Sequence, residues 1–198
     1  MYHFFVEPHQ IGAEEIRIEG ADVNHIRNVL RMKPGEEILI SSREGGDYFC
    51  RVEELEPEYV SAKILEEWEN KELPARIHLF QGLPKGDKME LIIQKAVELG
   101  AYRVVPVSMK RSVVKLDAKK ADAKRKRWNA VSESAAKQSK RSLIPEVAPL
   151  MTYKEAVKEA AGYDMVLLPY ESADGIRKTR ELLASVKPGT DIAVFIGP

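Results

Sequence analysis

The segment Gly82-Leu83-Pro84-Lys85-Gly86-Asp87-Lys88 carries the first chemistry-bearing pattern of the chain. It leads from a strand-like stretch into a helix-like one. Backbone N–H groups at such a helix start favour an anion, and Lys85 and Lys88 add positive charge. The Gly-Lys-Ser/Thr ending of a nucleotide-triphosphate loop is absent. The pattern suits phosphate or RNA contact; the alternative is an ordinary strand-to-helix turn. A second pattern is Lys110-Arg111-Ser112-Val113-Val114-Lys115, followed by Lys119-Lys120, Lys124-Arg125-Lys126-Arg127, Lys137, Lys140 and Arg141. Such a cluster can neutralise several phosphates; its alternative is a helix face that solvates itself.

Other chemistries find no support. The four histidines, His3, His9, His25 and His78, are scattered, with no H-E-x-x-H or Cys/His cluster, so no metal site is expected. Cys50 is the single cysteine, which rules out an internal disulfide and argues for a reducing compartment. Neither a G-x-S-x-G elbow nor a G-x-G-x-x-G fingerprint occurs, against serine hydrolases and classical dinucleotide-binding dehydrogenases. No apolar run approaches the roughly 18 residues of a membrane span, and the N-terminus lacks signal-peptide features, so a cytoplasmic protein is expected.

The elements that must position these residues fall into two patterns. Up to residue 72 the chain reads as short strands: Tyr2–Val6, Glu15–Ile18, Glu37–Ser41, Tyr48–Glu53 and Tyr59–Leu65. One short helix interrupts them, with Asp22 as its cap and Ile26, Val29 and Leu30 as its apolar stripe. A compact β-barrel is the natural packing. After the acidic run Glu66–Glu72 the pattern changes. Arg76–Gln81 reads as a strand, and Asp87 with Glu90 as a capping box. Met89, Ile92, Ile93, Ala96 and Val97 make one apolar helix face, Gly100 a stop, and Arg103–Val107 the next strand. A long basic helix from about Ala118 to Lys140 follows. Then come a helix over 152–161, a buried strand Met165–Leu168, a helix Ile176–Ser185 and a buried strand Ile192–Ile196. Apolar strands separated by helices predict a parallel sheet covered on both faces.

Charge follows the same division. The chain is neutral overall, with 31 basic and 31 acidic residues. Yet residues 1–72 hold 8 Lys+Arg against 17 Asp+Glu, whereas residues 73–145 hold 17 against 6. Domains 1–72 and 73–198 are therefore expected, the second presenting a polyanion-facing surface.

In combination, these residues resemble the RsmE family of small-subunit (16S) ribosomal RNA (uracil-N3) methyltransferases of the knotted SPOUT class. The resemblance is carried by Lys85-Gly86-Asp87-Lys88-Met89-Glu90 running into Gln94-Lys95 and Glu98-Leu99-Gly100. It continues through His25 with Val29-Leu30-Arg31, Arg111-Ser112-Val113-Val114-Lys115, Arg127-Trp128, and Glu133 to Ser139 with Arg141 and Pro145. It ends at Ile196-Gly197-Pro198, and so covers the whole chain. The resemblance implies an α/β protein with an N-terminal PUA-like RNA-binding β-barrel over 1–72 and a C-terminal trefoil-knot, parallel-sheet domain over 73–198. It also implies S-adenosylmethionine as cofactor, a homodimer, no metal and no membrane. The substrate would be 16S ribosomal RNA, free or in the small subunit.

The same resemblance suggests site residues. Leu168, Pro169, Tyr170, Glu171, Gly197 and Pro198 would hold the cofactor, with Leu168 under the adenine. Arg111, with Lys88 or Lys115, would stabilise a uracil anion. Arg31, Lys85, Lys88, Arg111, Lys115, Lys137 and Arg141 would meet RNA; Lys137 stands where the family often carries Glu. The family continues beyond Gly-Pro through Glu-Gly-Gly and a Leu-Gly-x-Arg-Ile-Leu-Arg segment that closes the knot. The chain as given is therefore expected to be incomplete at its last strand, and without that segment to bind cofactor poorly. A non-catalytic RNA-binding ribosome-assembly factor is the main alternative, and a small-molecule α/β enzyme a third.

Overall fold

The computed structural model describes the chain except for Glu44, residues 111–115, residues 171–176 and the side chain of Lys178. Two compact units result: residues 1–72 with 136–144, and residues 73–135 with 145–198.

In the first unit, strands β1 (Tyr2–Val6), β2 (Glu15–Glu19), β3 (Glu37–Ser42), β4 (Asp47–Leu55) and β5 (Tyr59–Glu67) form one sheet in the order β1-β3-β4-β5-β2. Alternation decides which side is core. Along β2, Ile16 and Ile18 are buried while Glu15, Arg17 and Glu19 face outward. Phe4, Val6, Ile38, Ile40, Val52 and Val60 meet those isoleucines in a single cluster. Register shifts between Phe49 and Cys50 and between Val52 and Glu54 bulge the β4–β5 pair, which increases twist and curls the sheet into a half-barrel around that cluster.

The predicted helix of this unit takes a different form. Helix α1 covers only Ala21–Asn24, capped at Gly20 with φ 74°, and a π-helical turn occupies His25–Val29. Asp22 is therefore not the cap; it lies inside the first turn and pairs with Lys137 at 3.2 Å. The wider π turn, closed by Leu30 N–H donating to His25 C=O at 2.9 Å, moves position i+3 off the face of i. Ile26 is buried, whereas Val29 faces outward.

In the second unit the elements are β6 (Arg76–Gly82), α2 (Lys88–Glu98), β7 (Arg103–Ser108), α3 (Ala118–Ser139, its last turn in the first unit), β8 (Glu146–Val147), β9 (Met151–Thr152), α4 (Tyr153–Ala160), β10 (Met165–Leu167), α5 (Arg177–Ala184) and β11 (Asp191–Ile196). The sheet order is β10-β11-β6-β7-β8, with β9 also beside β7, and all of these pairs are parallel. Phe80, Val105, Val107, Ala193 and Phe195 make one apolar face, on which Ala156 and Ala160 of α4 pack. Phe80 and Phe195 stack with ring centres 4.6 Å apart.

Two local expectations change here. Asp87 sits at the α2 cap without a side-chain capping bond: Glu90 N–H donates to the Asp87 carbonyl at 3.2 Å, and the Glu90 carboxylate takes the guanidinium of Arg127 at 2.7 Å. The capping box forms at α4, where Thr152 Oγ1 accepts from Glu155 N–H and Glu155 accepts from Thr152 N–H. Strand β10 is not buried: among the described residues it pairs only with β11, and Val166 is half exposed.

Candidate active site at the carboxyl end of the parallel sheet

Parallel strands deliver their C-terminal ends to one edge. Gly82, Ser108, Leu167 and Ile196 close β6, β7, β10 and β11 there. The loops that leave this edge carry Lys85 and Lys88, then Lys110, then Leu168–Tyr170, then Gly197–Pro198. From β6 the chain moves to β7 on one side and later builds β10 and β11 on the other. Where an α/β sheet changes direction in this way, the strand ends leave a crevice in which ligands bind.

That change of direction falls between β6 and β11, whose ends pack closely. A Cβ added at Gly82 would stand 2.9 Å from Pro198 N and 2.9 Å from Met109 Sδ, so only glycine lets these chains approach so closely. The Gln81 side chain is buried, and its Nε2 donates to the carbonyls of Gly82 and Gly197, each at 2.9 Å. Next to β11, Tyr153, Val157, Ala160, Val166, Leu168 and Phe195 line an apolar groove of about 300 Å³, a size at the lower end for small-molecule sites. Leu168 is 69% exposed at its mouth, with Pro169 and Tyr170 exposed beyond it. Apolar walls next to strand-end backbone groups suit a flat, neutral ring whose edge needs hydrogen-bond partners.

The structure thus brings Leu168, Pro169, Tyr170, Gly197 and Pro198 to one edge, with Lys85 and Lys88 exposed at the start of α2 on that same edge. Arg111, Lys115 and Glu171 lie outside the described residues. The remaining candidates belong to the first unit. Arg31 is exposed in a left-handed conformation, φ 54°, after the π turn. Lys137 is held by Asp22 at 3.2 and 3.3 Å. Arg141 is buried, with Nε donating to both carboxylate oxygens of Glu72 at 2.8 Å, so its charge is matched inside the fold. Sequence reasoning missed Gln81; its one available signal is a polar residue at the end of an apolar strand. Among the described residues no group of three or more His, Cys, Asp or Glu could hold a metal ion. Cys50 lies in the core of the half-barrel, and burial pushes its thiol up to about 12.

Comparison with known proteins agrees in both units. Residues 71–198 match the family described as RNA methyltransferase domain, and residues 18–65 the one described as RNA methyltransferase PUA domain. Ribosomal RNA small subunit methyltransferase E of Bacillus subtilis is 36% identical over the whole chain, which spans 80% of that protein. A crystal structure of the methyltransferase of that name from Neisseria gonorrhoeae, bound to S-adenosyl methionine, aligns over the whole chain and 80% of its own, with 30% identity and a TM-score of 0.78. A putative methyltransferase from Legionella pneumophila, in complex with the same cofactor, aligns over the whole chain and 79% of its own, with 26% identity and a TM-score of 0.80. With a curled PUA sheet, a parallel α/β sheet and these matches along its full length, the chain belongs to the ribosomal RNA small subunit methyltransferase E family.

Proposed function

We propose that this protein methylates N3 of a uridine in small-subunit ribosomal RNA, with S-adenosylmethionine as methyl donor. The observation that carries the reading is the carboxyl edge of the parallel sheet. Two strand-end loops and a basic helix start leave that edge, and an apolar groove along α4 and β10 includes Leu168 just past β10.

The residues present fit the cofactor. The groove beside Leu168 is apolar enough for an adenine face. In this reading Leu168 packs under the adenine, and the backbone of 168–170 and 197–198 orients it. The bound cofactor supplies an electrophilic methyl group on a sulfonium. Uracil N3 must lose its proton before its lone pair can attack, so the protein's task is to position the ring and stabilise the anion. Arg111 takes the charge-stabilising role, with Lys88 or Lys115 as its partner in that role. Lys85 and Lys88 meet backbone phosphate at the α2 start, where N–H groups and lysines act together. Arg31 and Lys137, in the 1–72 PUA-like domain and the α3 end, extend RNA contact, while Arg141 supports that surface from within through Glu72.

We further read residues 73–198 as the transferase domain of a knotted SPOUT fold that works as a homodimer in the cytoplasm. Among the described residues no helix is long and apolar enough to cross a membrane.

The test is methyl transfer from labelled S-adenosylmethionine to small ribosomal subunits and to free 16S RNA, with nucleoside mass spectrometry of the product. Label in 3-methyluridine is expected. Label at uridine C5, at a ribose or on another base would overturn the N3 assignment. RNA binding without any transfer would favour the assembly-factor reading.

A further inference from the structure

We infer that Gln81 and Gly82 form a positioning pair that sets the Gly197-Pro198 backbone, and through it the affinity for the methyl donor. The inference rests on the cofactor reading above and adds two residues to it.

The need for such a pair follows from the ladder. Strands β6 and β11 run parallel in register from Arg76↔Asp191 to Gln81↔Ile196. Just past β11 come Gly197, which is conformationally permissive, and Pro198, which has no N–H to give. The backbone ladder that fixes the strand therefore stops where the loop begins. Gln81 continues it with its side chain. The buried Gln81 donates through its amide to Gly197 C=O just past β11 and to Gly82 C=O on its own strand. One NH2 group with two donors thus ties the two strand ends together. Gly82 supplies the complementary constraint. With no side chain it admits Pro198 so closely that an added Cβ would press on backbone N at 2.9 Å and ring Cδ at 3.1 Å. Unlike the end of a flexible side chain, backbone cannot swing away.

Neither residue lines the groove, so the effect of the pair runs through loop geometry. A loop that must be ordered upon binding weakens the complex by the ordering cost, whereas a loop already fixed does not. Loss of the clamp should therefore appear in cofactor affinity, with the chemical step little changed once the cofactor is bound.

The experiment compares wild type, Gln81→Leu, Gln81→Glu and Gly82→Ala in calorimetric S-adenosylmethionine binding, steady-state methyl transfer, and hydrogen exchange of peptides covering 192–198. For Gln81→Leu we expect faster exchange at the β11 end and cofactor binding weaker by about tenfold, with kcat within about twofold. Gln81→Glu places a carboxylate against two carbonyls and should lose more at pH 8. It should recover part of the loss near pH 5, where a protonated acid can donate again; Gln81→Leu should not recover. Gly82→Ala should reproduce the affinity loss by displacing Pro198. Unchanged exchange and affinity in folded Gln81→Leu and Gly82→Ala would overturn the inference while leaving the cofactor reading intact. Absence of binding by wild type would overturn the cofactor reading and this inference with it; faster exchange at the β11 end would then establish only a structural clamp.

Discussion

Arg141 and Glu72 stand 69 residues apart in sequence and share one buried ion pair, in which Arg141 Nε bonds both oxygens of Glu72 at 2.8 Å. Ser142 N–H donates to the same carboxylate at 2.8 Å. The pair pins Ala136–Ile144 to the end of the 1–72 segment. Removing one partner leaves the other charged and buried, which costs about 3–5 kcal/mol. Arg141→Met should lower the unfolding free energy by about that amount in urea titrations. The double substitution Arg141→Met with Glu72→Leu should regain most of it. A single-variant loss below about 1 kcal/mol would show that water reaches the pair.

His3 predicts acid sensitivity in the same unit. It is buried, Nε2 meets Ser41 Oγ at 2.8 Å, and Nδ1 has no partner. Burial above all, then the nearby charges of Lys137 and Lys140, lower its pKa to about 4. A histidine whose folded pKa lies below its unfolded value stays neutral in the native state while the unfolded chain takes up a proton. Stability contributed by this site is therefore full above pH 6.5 and falls as pH drops toward 4, by about 3 kcal/mol at most. His3→Gln should reduce the stability difference between pH 7 and pH 4.5 by about 2 kcal/mol in denaturant titrations. An unchanged difference would mean that His3 is already accessible to protons.

Much of this architecture was legible because periodicity reports burial. Ile16 and Ile18 alternate with charged neighbours, and Met89, Ile93 and Val97 recur at helical spacing; each set is buried as its pattern requires. Three features were not legible. The π turn at His25–Val29 has no period of its own, so it displaced the expected stripe at Val29. An apolar run such as Met165–Leu168 says that a strand is hydrophobic, not whether it has one neighbour or two. Nor can local pattern reveal pairings across the chain: Arg141 looked like an RNA-facing cation because Glu72 is remote in sequence, and Gln81 looked like an ordinary strand end.

Opposite the candidate site, Asp191 gathers the amino-terminal edge of the sheet. Arg76 donates to it through Nε at 2.7 Å and Nη2 at 2.6 Å, and His78 Nε2 lies 2.9 Å away. Hydrogen bonding from Arg76, then from His78, holds its carboxyl well below the usual carboxylate range. A depressed carboxyl pKa stabilises the fold above the unfolded value near 3.8, and that stability is lost as pH falls below it. Asp191→Asn should therefore cost about 1–2 kcal/mol at pH 7 and less at pH 3, as measured by denaturant titration at the two pH values. An equal cost at both would assign the loss to packing instead of charge.

Lys85 and Lys88 yield the most direct prediction for RNA. Both are exposed at the α2 start, where Gly86 adopts φ 70°. A lysine that neutralises one phosphate of a single strand steepens log K against log salt by about 0.7, so Lys85→Ala with Lys88→Ala should flatten the slope by about 1.4 and weaken binding most at low salt. The Arg141→Met, Glu72→Leu pair removes a cation too, but one already matched by its carboxylate, and should leave the slope unchanged. Fluorescence anisotropy with a small-subunit RNA fragment between 50 and 300 mM salt checks both, the Arg141→Met, Glu72→Leu pair serving as a charge-neutral control whose slope should match wild type. Equal slopes for wild type and the Lys85, Lys88 variant would remove the α2 start from the RNA surface.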